Sequence, residues 1–127
     1  MSCHPRVTEW TTIIHAHLPH LSKPQATVLA LWSLGMVLAR SCALTAVSAF
    51  LATWLGRKEP AVYQQLREFC YEATAKRGTA RQALGVETCF GPLLTWVVDP
   101  WEGPQMALAL DATTVGDRLT VLALSVV

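Results

Sequence analysis

The feature that most limits the fold of this chain is a change in the spacing of its apolar residues after Gln105. Large and small side chains alternate over residues 106–111 with a period of two, which is typical of a β-strand. Residues 119–124 are apolar on both alternating faces and predict a strand that is covered on both sides. Gly116 lies between the two runs and suits a tight turn. The sequence therefore predicts an antiparallel hairpin that ends the chain.

A helix start is indicated at Ser22 and Pro24, because a serine side chain caps free backbone amides and proline is tolerated in the first helical turn. The apolar spacing then predicts a helix over residues 24–39 and a second over residues 44–55. The second helix is expected to end at Gly56, which readily adopts the left-handed conformation that many helix ends require. We expect the two helices to form a helical hairpin.

Other segments extend this helical region. Pro60 is expected to open a third, amphipathic helix. Its apolar stripe consists of Val62, Leu66, Phe69 and Cys70. A short helix is predicted to open at Pro92, after a break at Gly91, and an earlier helix to lie over residues 8–18.

The composition agrees with a folded domain. The chain has 127 residues, of which 52% are hydrophobic, and this is ample material for a buried core. The predicted fold class is α+β, with about four to five helices in residues 1–100 followed by a β-hairpin in residues 105–127. The cysteines form no CxxC pair, and the first residues do not resemble a secretory signal. Reduced thiols in a cytoplasmic protein are therefore expected.

Charge is unevenly distributed along the chain. The formal net charge is only +1, so the whole chain gives no electrostatic reason to favour nucleic acid, a membrane or an acidic partner. Residues 56–81, however, hold six basic side chains against three acidic ones. Such a segment can contact DNA phosphates, although the pattern is also typical of a solvated surface. The candidate DNA contacts are Arg57, Lys58, Lys76, Arg77 and Arg81.

Residues 26–39 are uncharged and mostly apolar, which makes a membrane segment one hypothesis. This run has 14 residues and ends before Arg40, whereas about 20 mainly apolar residues are needed to cross the hydrocarbon core. Two buried helices fit the pattern better, and no membrane partner is expected. A small membrane-associated protein built on a helical hairpin of residues 26–55 is kept as an alternative.

Asp111 interrupts a predicted strand whose other members are almost all apolar. A carboxylate in such a strand needs hydrogen bonds, a cation or a metal ion to offset its loss of solvation. Alternatively, Asp111 ends the strand and caps the turn through Thr113 or Thr114. The spacing of apolar residues leaves both interpretations open. Asp117 lies in the predicted turn and is expected to be solvated there.

Residues 106–118, MALALDATTVGDR, and the LTVLALSVV that follows resemble the segment that carries the first catalytic aspartate in DDE transposases of bacterial insertion sequences. Residues 20–52 and the basic stretch KRGTARQALG resemble the helical amino-terminal part of such enzymes. The resemblance implies an RNase-H-like sheet, in which the next strand returns antiparallel to the strand of the aspartate. It also implies that the family's second aspartate and its glutamate belong to later segments, so we expect a fragment with an incomplete sheet.

By this resemblance Asp111 is a catalytic residue and a ligand of Mg²⁺ or Mn²⁺. Paired divalent ions held by carboxylates stabilise the attacking and leaving oxygens when a DNA phosphodiester is cut or joined. One carboxylate does not make such a site, so the chain alone is expected to hold no stable metal and to be inactive. The implied partners are DNA at transposon ends, and an intact transposase or a second copy of the chain.

Two further interpretations concern binding. A non-catalytic helical module could bind DNA or interfere with an intact transposase. The amino terminus also offers metal ligands in Cys3, His4, His15, His17 and His20, but their spacing matches no structural zinc pattern. Surface or core positions are expected for these histidines, and core positions for most of the five tryptophans.

Overall fold

A computed structural model describes residues 4–69 and 83–127 of the chain. In these residues five helices precede a two-stranded antiparallel sheet, which confirms the predicted α+β class. The elements are α1 (Pro5–His17), α2 (Lys23–Ala39), α3 (Leu44–Leu55), α4 (Glu59–Glu68), α5 (Val86–Val98), β1 (Leu108–Val115) and β2 (Leu119–Val126). The chain forms two compact units, Met1–Trp96 and Val97–Val127.

The ends of α2 and α3 follow from local chemistry, as the sequence predicts. The Ser22 side chain accepts a hydrogen bond from the Gln25 amide at 3.3 Å, and the Gln25 side chain accepts one from the Ser22 amide at 2.9 Å. This reciprocal pair satisfies two amides at the start of α2. Both helices end in a residue with left-handed backbone, Arg40 at φ 53° and Gly56 at φ 65°.

The predicted helical hairpin of α2 and α3 is wrong, because the two helices meet at 96° and form a corner. Arg40 turns the chain sharply at the end of α2. The helices approach closely at Gly35, where an added Cβ would lie 2.8 Å from Val47 Cγ1 and 3.0 Å from Leu51 Cδ1. A glycine in α2 therefore lets α3 cross it at short range.

The first unit has two apolar clusters. The larger cluster joins α1, α2, α3 and α4 through Val7, Leu31, Val47, Leu51, Ala52, Val62 and Leu66. The smaller cluster comprises Ile14, Leu18, Leu21, Ala26 and Ala30. Val62, Leu66 and Phe69 of the predicted α4 stripe are buried, and Cys70 lies outside the described residues. α4 is thus an amphipathic helix that packs by its apolar face.

Two predicted helix starts need correction. α5 begins at Val86, six residues before the predicted start, and continues through Gly91 and Pro92. Proline lacks an amide and so removes one internal hydrogen bond, but here that loss does not end the helix. α1 begins at Pro5, where the His4 ring accepts a hydrogen bond from the Arg6 amide at 3.3 Å.

The second unit contains the hairpin. β1 begins two residues later than the period-two run and ends at Val115, and Gly116 opens the turn with φ 62°. The expectation that the second strand is covered on both sides is wrong for this structure, because Leu119, Val121, Leu122 and Leu124 are all exposed. Alternating apolar residues define a strand in the sequence, but they do not say what covers it.

Candidate functional site

Asp111 lies in the middle of β1 and pairs with Ala123 of β2. The interpretation in which Asp111 ends the strand is wrong, because Thr113 and Thr114 continue the ladder opposite Val121 and Thr120. The backbone of Asp111 is thus fixed by strand pairing. A carboxylate on a strand has a more defined position than one in a turn.

The two faces of the hairpin differ in side-chain size. Paired residues and alternate residues along a strand share a face, so the neighbours of Asp111 are Ala109, Thr113, Ala123, Ser125 and Val121. The opposite face carries Leu108, Leu110, Leu122 and Leu124. The alanines and the serine leave space around the carboxylate, whereas Val121 adds an apolar side chain to the same face. The leucine face, in contrast, is the one suited to packing against other apolar structure.

Asp111 is exposed, and its carboxylate makes no hydrogen bond or ion pair with any residue that the structure describes. Water can therefore solvate this side chain, so the loss of solvation that the sequence predicts for Asp111 does not occur here. Among the described residues no three His, Cys, Asp or Glu side chains are grouped to hold a metal ion. Asp111 can contribute at most its own two oxygens to a cation.

The basic candidates are only partly described. Arg57 and Lys58 are neighbours in the link between α3 and α4, and Lys76, Arg77 and Arg81 lie outside the described residues. Lys58 is exposed. Arg57 is half-buried, and its Nη1 donates a hydrogen bond to Gln65 Oε1 at 2.9 Å. Of this pair, Lys58 suits contact with an extended phosphate backbone and Arg57 suits a defined pocket.

A cavity of about 570 Å³ opens beside Arg57. Its lining includes His4, Thr27, Leu31, Trp54, Arg57 and Gln65, and we call it the Arg57 cavity. The His4 and Trp54 rings lie 4.1 Å apart at its wall. These residues are not connected in the sequence, because they come from α2, α3, α4, the α3–α4 link and the cap of α1. Only the basic character of Arg57 gave a signal.

The remaining histidines do not converge. His17 stacks on Trp96 with ring centroids 4.1 Å apart, whereas His20 Nε2 lies 3.5 Å from Cys89 Sγ. Cys3 lies outside the described residues. Trp10, Trp32, Trp54 and Trp96 are half-buried, whereas Trp101 is exposed. Four of the five tryptophans therefore pack at the margins of the apolar clusters, and the core positions expected for most of them are not observed.

Among the described residues no helix by itself has the length and apolar character to cross a membrane. α2 and α3 reach that length only as a pair, across the 96° corner. In comparisons with protein-family models, with curated proteins and with solved structures, no match to this chain was found.

Proposed function

We propose that this chain supplies the helical amino-terminal part and the first catalytic strand of a DDE transposase, with Asp111 as one ligand of a divalent metal ion. The observation that carries the proposal is the exposed position of Asp111 in the middle of β1, with Ala109, Ala123 and Ser125 beside it on the same face. That position agrees with the resemblance of residues 106–118 to the transposase segment.

The chemistry assigned to Asp111 requires partners. A divalent ion at a phosphodiester stabilises charge on the attacking or leaving oxygen, and Mg²⁺ takes oxygen ligands in octahedral geometry. In the family that the sequence resembles, a second aspartate and a glutamate complete the site. Asp117 cannot replace them, because it lies in the turn of the same hairpin. Residues 1–127 alone are therefore expected to show no strand transfer.

The exposed hairpin supports the same proposal. A two-stranded sheet is only marginally stable by itself in water, and this one exposes apolar side chains on both faces. Additional strands and a covering layer would turn such a hairpin into the start of a larger sheet. The leucine face is suited to that layer, while the Asp111 face is suited to a metal and DNA.

The coding DNA gives a first test. We expect the sequence that follows the codon for Val127, in the same or a shifted frame, to encode further strands with a second aspartate and a glutamate. If neither carboxylate is encoded there, the proposal fails.

A strand-transfer assay gives the second test. The protein encoded by the complete reading frame is incubated with Mn²⁺ and with DNA from the ends of the insertion sequence that encodes it. Asp111→Asn is expected to reduce strand transfer more than about 100-fold. Loss of a residue that only hydrogen-bonds to a metal ligand already reduces metal affinity or activity about 10- to 100-fold. Asp117→Asn, the matched control in the same hairpin, is expected to retain activity. Equal effects of the two substitutions would contradict the role of Asp111.

A further inference from the structure

We propose that the Arg57 cavity binds one nucleotide unit of DNA, with the phosphate on the Arg57 guanidinium and the base against the apolar wall. The identification of the ligand as DNA rests on the proposed function. The binding site itself rests on charge, hydrogen bonding and shape in the first unit of the structure.

The charge of the cavity calls for an anion. Arg57 is half-buried, and among the residues that the structure describes no aspartate or glutamate lines the cavity and none forms an ion pair with Arg57. A guanidinium has five N–H donors, and Gln65 Oε1 is the side-chain acceptor that the structure places beside it. A partly desolvated cation without a counter-charge gains stability when an anion binds, and guanidinium geometry matches phosphate.

Arg57 is held in place before any ligand binds. Gly56 takes the left-handed conformation at the end of α3, and the Arg57 amide then donates to the Ala52 carbonyl at 2.9 Å. At its other end the side chain is fixed by Gln65 of α4. Both backbone and guanidinium are thus anchored to helices, which lowers the conformational entropy lost on binding.

The cavity is larger than a phosphate group needs. Its volume of about 570 Å³ falls within the range of small-molecule sites, about 300–1,000 Å³. Leu31, Leu55 and Trp54 supply an apolar and aromatic wall, whereas Thr27 adds a hydroxyl. A nucleotide combines the two required chemistries, an anionic group and a flat apolar ring. Because the wall is apolar, we expect little preference among bases.

The test compares three ligands with the full chain by calorimetry: deoxythymidine monophosphate, deoxythymidine and inorganic phosphate. The monophosphate is expected to bind at least about tenfold more tightly than either part, because it uses both the guanidinium and the wall. Arg57→Gln is expected to weaken monophosphate binding about tenfold, and Arg118→Gln, which removes the same charge from an exposed arginine outside the cavity, less than about twofold.

Backbone amide resonances of the unmodified chain give a measurement that does not depend on how a variant folds. Gly56, Arg57 and Gln65 are expected to shift on addition of the monophosphate. Equal weakening by the two substitutions, equal affinity for inorganic phosphate, or shifts confined to other residues would overturn the proposal. Nucleotide binding at the cavity requires neither a metal ion nor Asp111, so failure here is distinguishable from failure of the strand-transfer test.

Discussion

Asp111 and Ala123 stand directly opposite each other in the antiparallel register of β1 and β2. Because a methyl group is too short to cover the neighbouring carboxylate, Ala123 leaves Asp111 open to solvent and to a cation. The strand pairing fixes the backbone position of Asp111, and the small side chain of Ala123 leaves the carboxylate accessible to water and to a cation.

Replacement of Asp111 should separate function from stability. The side chain is exposed and has no polar partner among the described residues, so Asp111→Asn is expected to change the free energy of unfolding by less than about 0.5 kcal/mol. Urea denaturation followed by circular dichroism would measure this difference. A loss of more than about 2 kcal/mol would mean that the carboxylate has a structural role, and the proposed metal site would lose its support.

Gly35 should not accept a side chain without loss of stability. A Cβ there would contact Val47 and Leu51, which are both fully buried, so Gly35→Ala is expected to lower the free energy of unfolding by about 1–3 kcal/mol. Gly91 is the control, since it lies in α5 with open space around it. Gly91→Ala is expected to change that free energy by less than about 0.5 kcal/mol, because the clash of a Cβ with the ring of the following Pro92 offsets the helix preference of alanine. Thermal unfolding of both variants distinguishes these outcomes.

The hairpin should promote association of the isolated chain. Leu110 and Leu122 lie on one face and are 70% and 67% exposed, beside strand edges that carry neither proline nor lysine. Leu110→Thr and Leu122→Thr are expected to raise the concentration at which light scattering appears. Val37→Thr is the control, because Val37 is also exposed, at 72%, but lies on α2. If all three substitutions act alike, the hairpin is not the associating surface.

Contact between Lys58 and DNA should show in the dependence of binding on salt. The logarithm of the binding constant falls linearly with the logarithm of salt concentration, with a slope set by the number of phosphates neutralised. In gel shifts against the terminal repeats, Lys58→Gln is expected to reduce the magnitude of this slope by about one, which corresponds to the loss of one phosphate contact. Arg6→Gln, an exposed charge on α1, serves as the control. An affinity that is independent of salt would contradict phosphate contact.

Local signals in the sequence predicted the elements better than their arrangement. Ser22 and Gly56 define helix ends through their own side chain or backbone, so the bounds of α2 and α3 agree with prediction to within one residue. The 96° corner depends instead on the contact between Gly35 and α3, and no spacing of apolar residues records such a contact. Pro92 predicted a helix start because proline is favoured in the first turn and disfavoured in the interior, yet in this structure it lies inside α5.

The candidate site also has features that local sequence signals predict and features that depend on the tertiary structure. The period-two run correctly placed Asp111 on a strand, since alternation is a local property. The exposure of Asp111 depends on tertiary structure, which the alternation of apolar residues does not predict. The hydrogen bond between Arg57 and Gln65 joins the α3–α4 link to α4, and the cavity adds His4, which is distant in the sequence. Such groupings require the folded structure.

Pro92 has a consequence for the motions of α5. Without an amide at this position α5 lacks one internal hydrogen bond, and its 13 residues are close to the length of about 12–15 below which an isolated helix is marginally stable in water. Cys89 before Pro92 and Trp96 after it pack against the smaller apolar cluster. Amide protons of α5 should therefore exchange with deuterium sooner than those of the longer, uninterrupted α2.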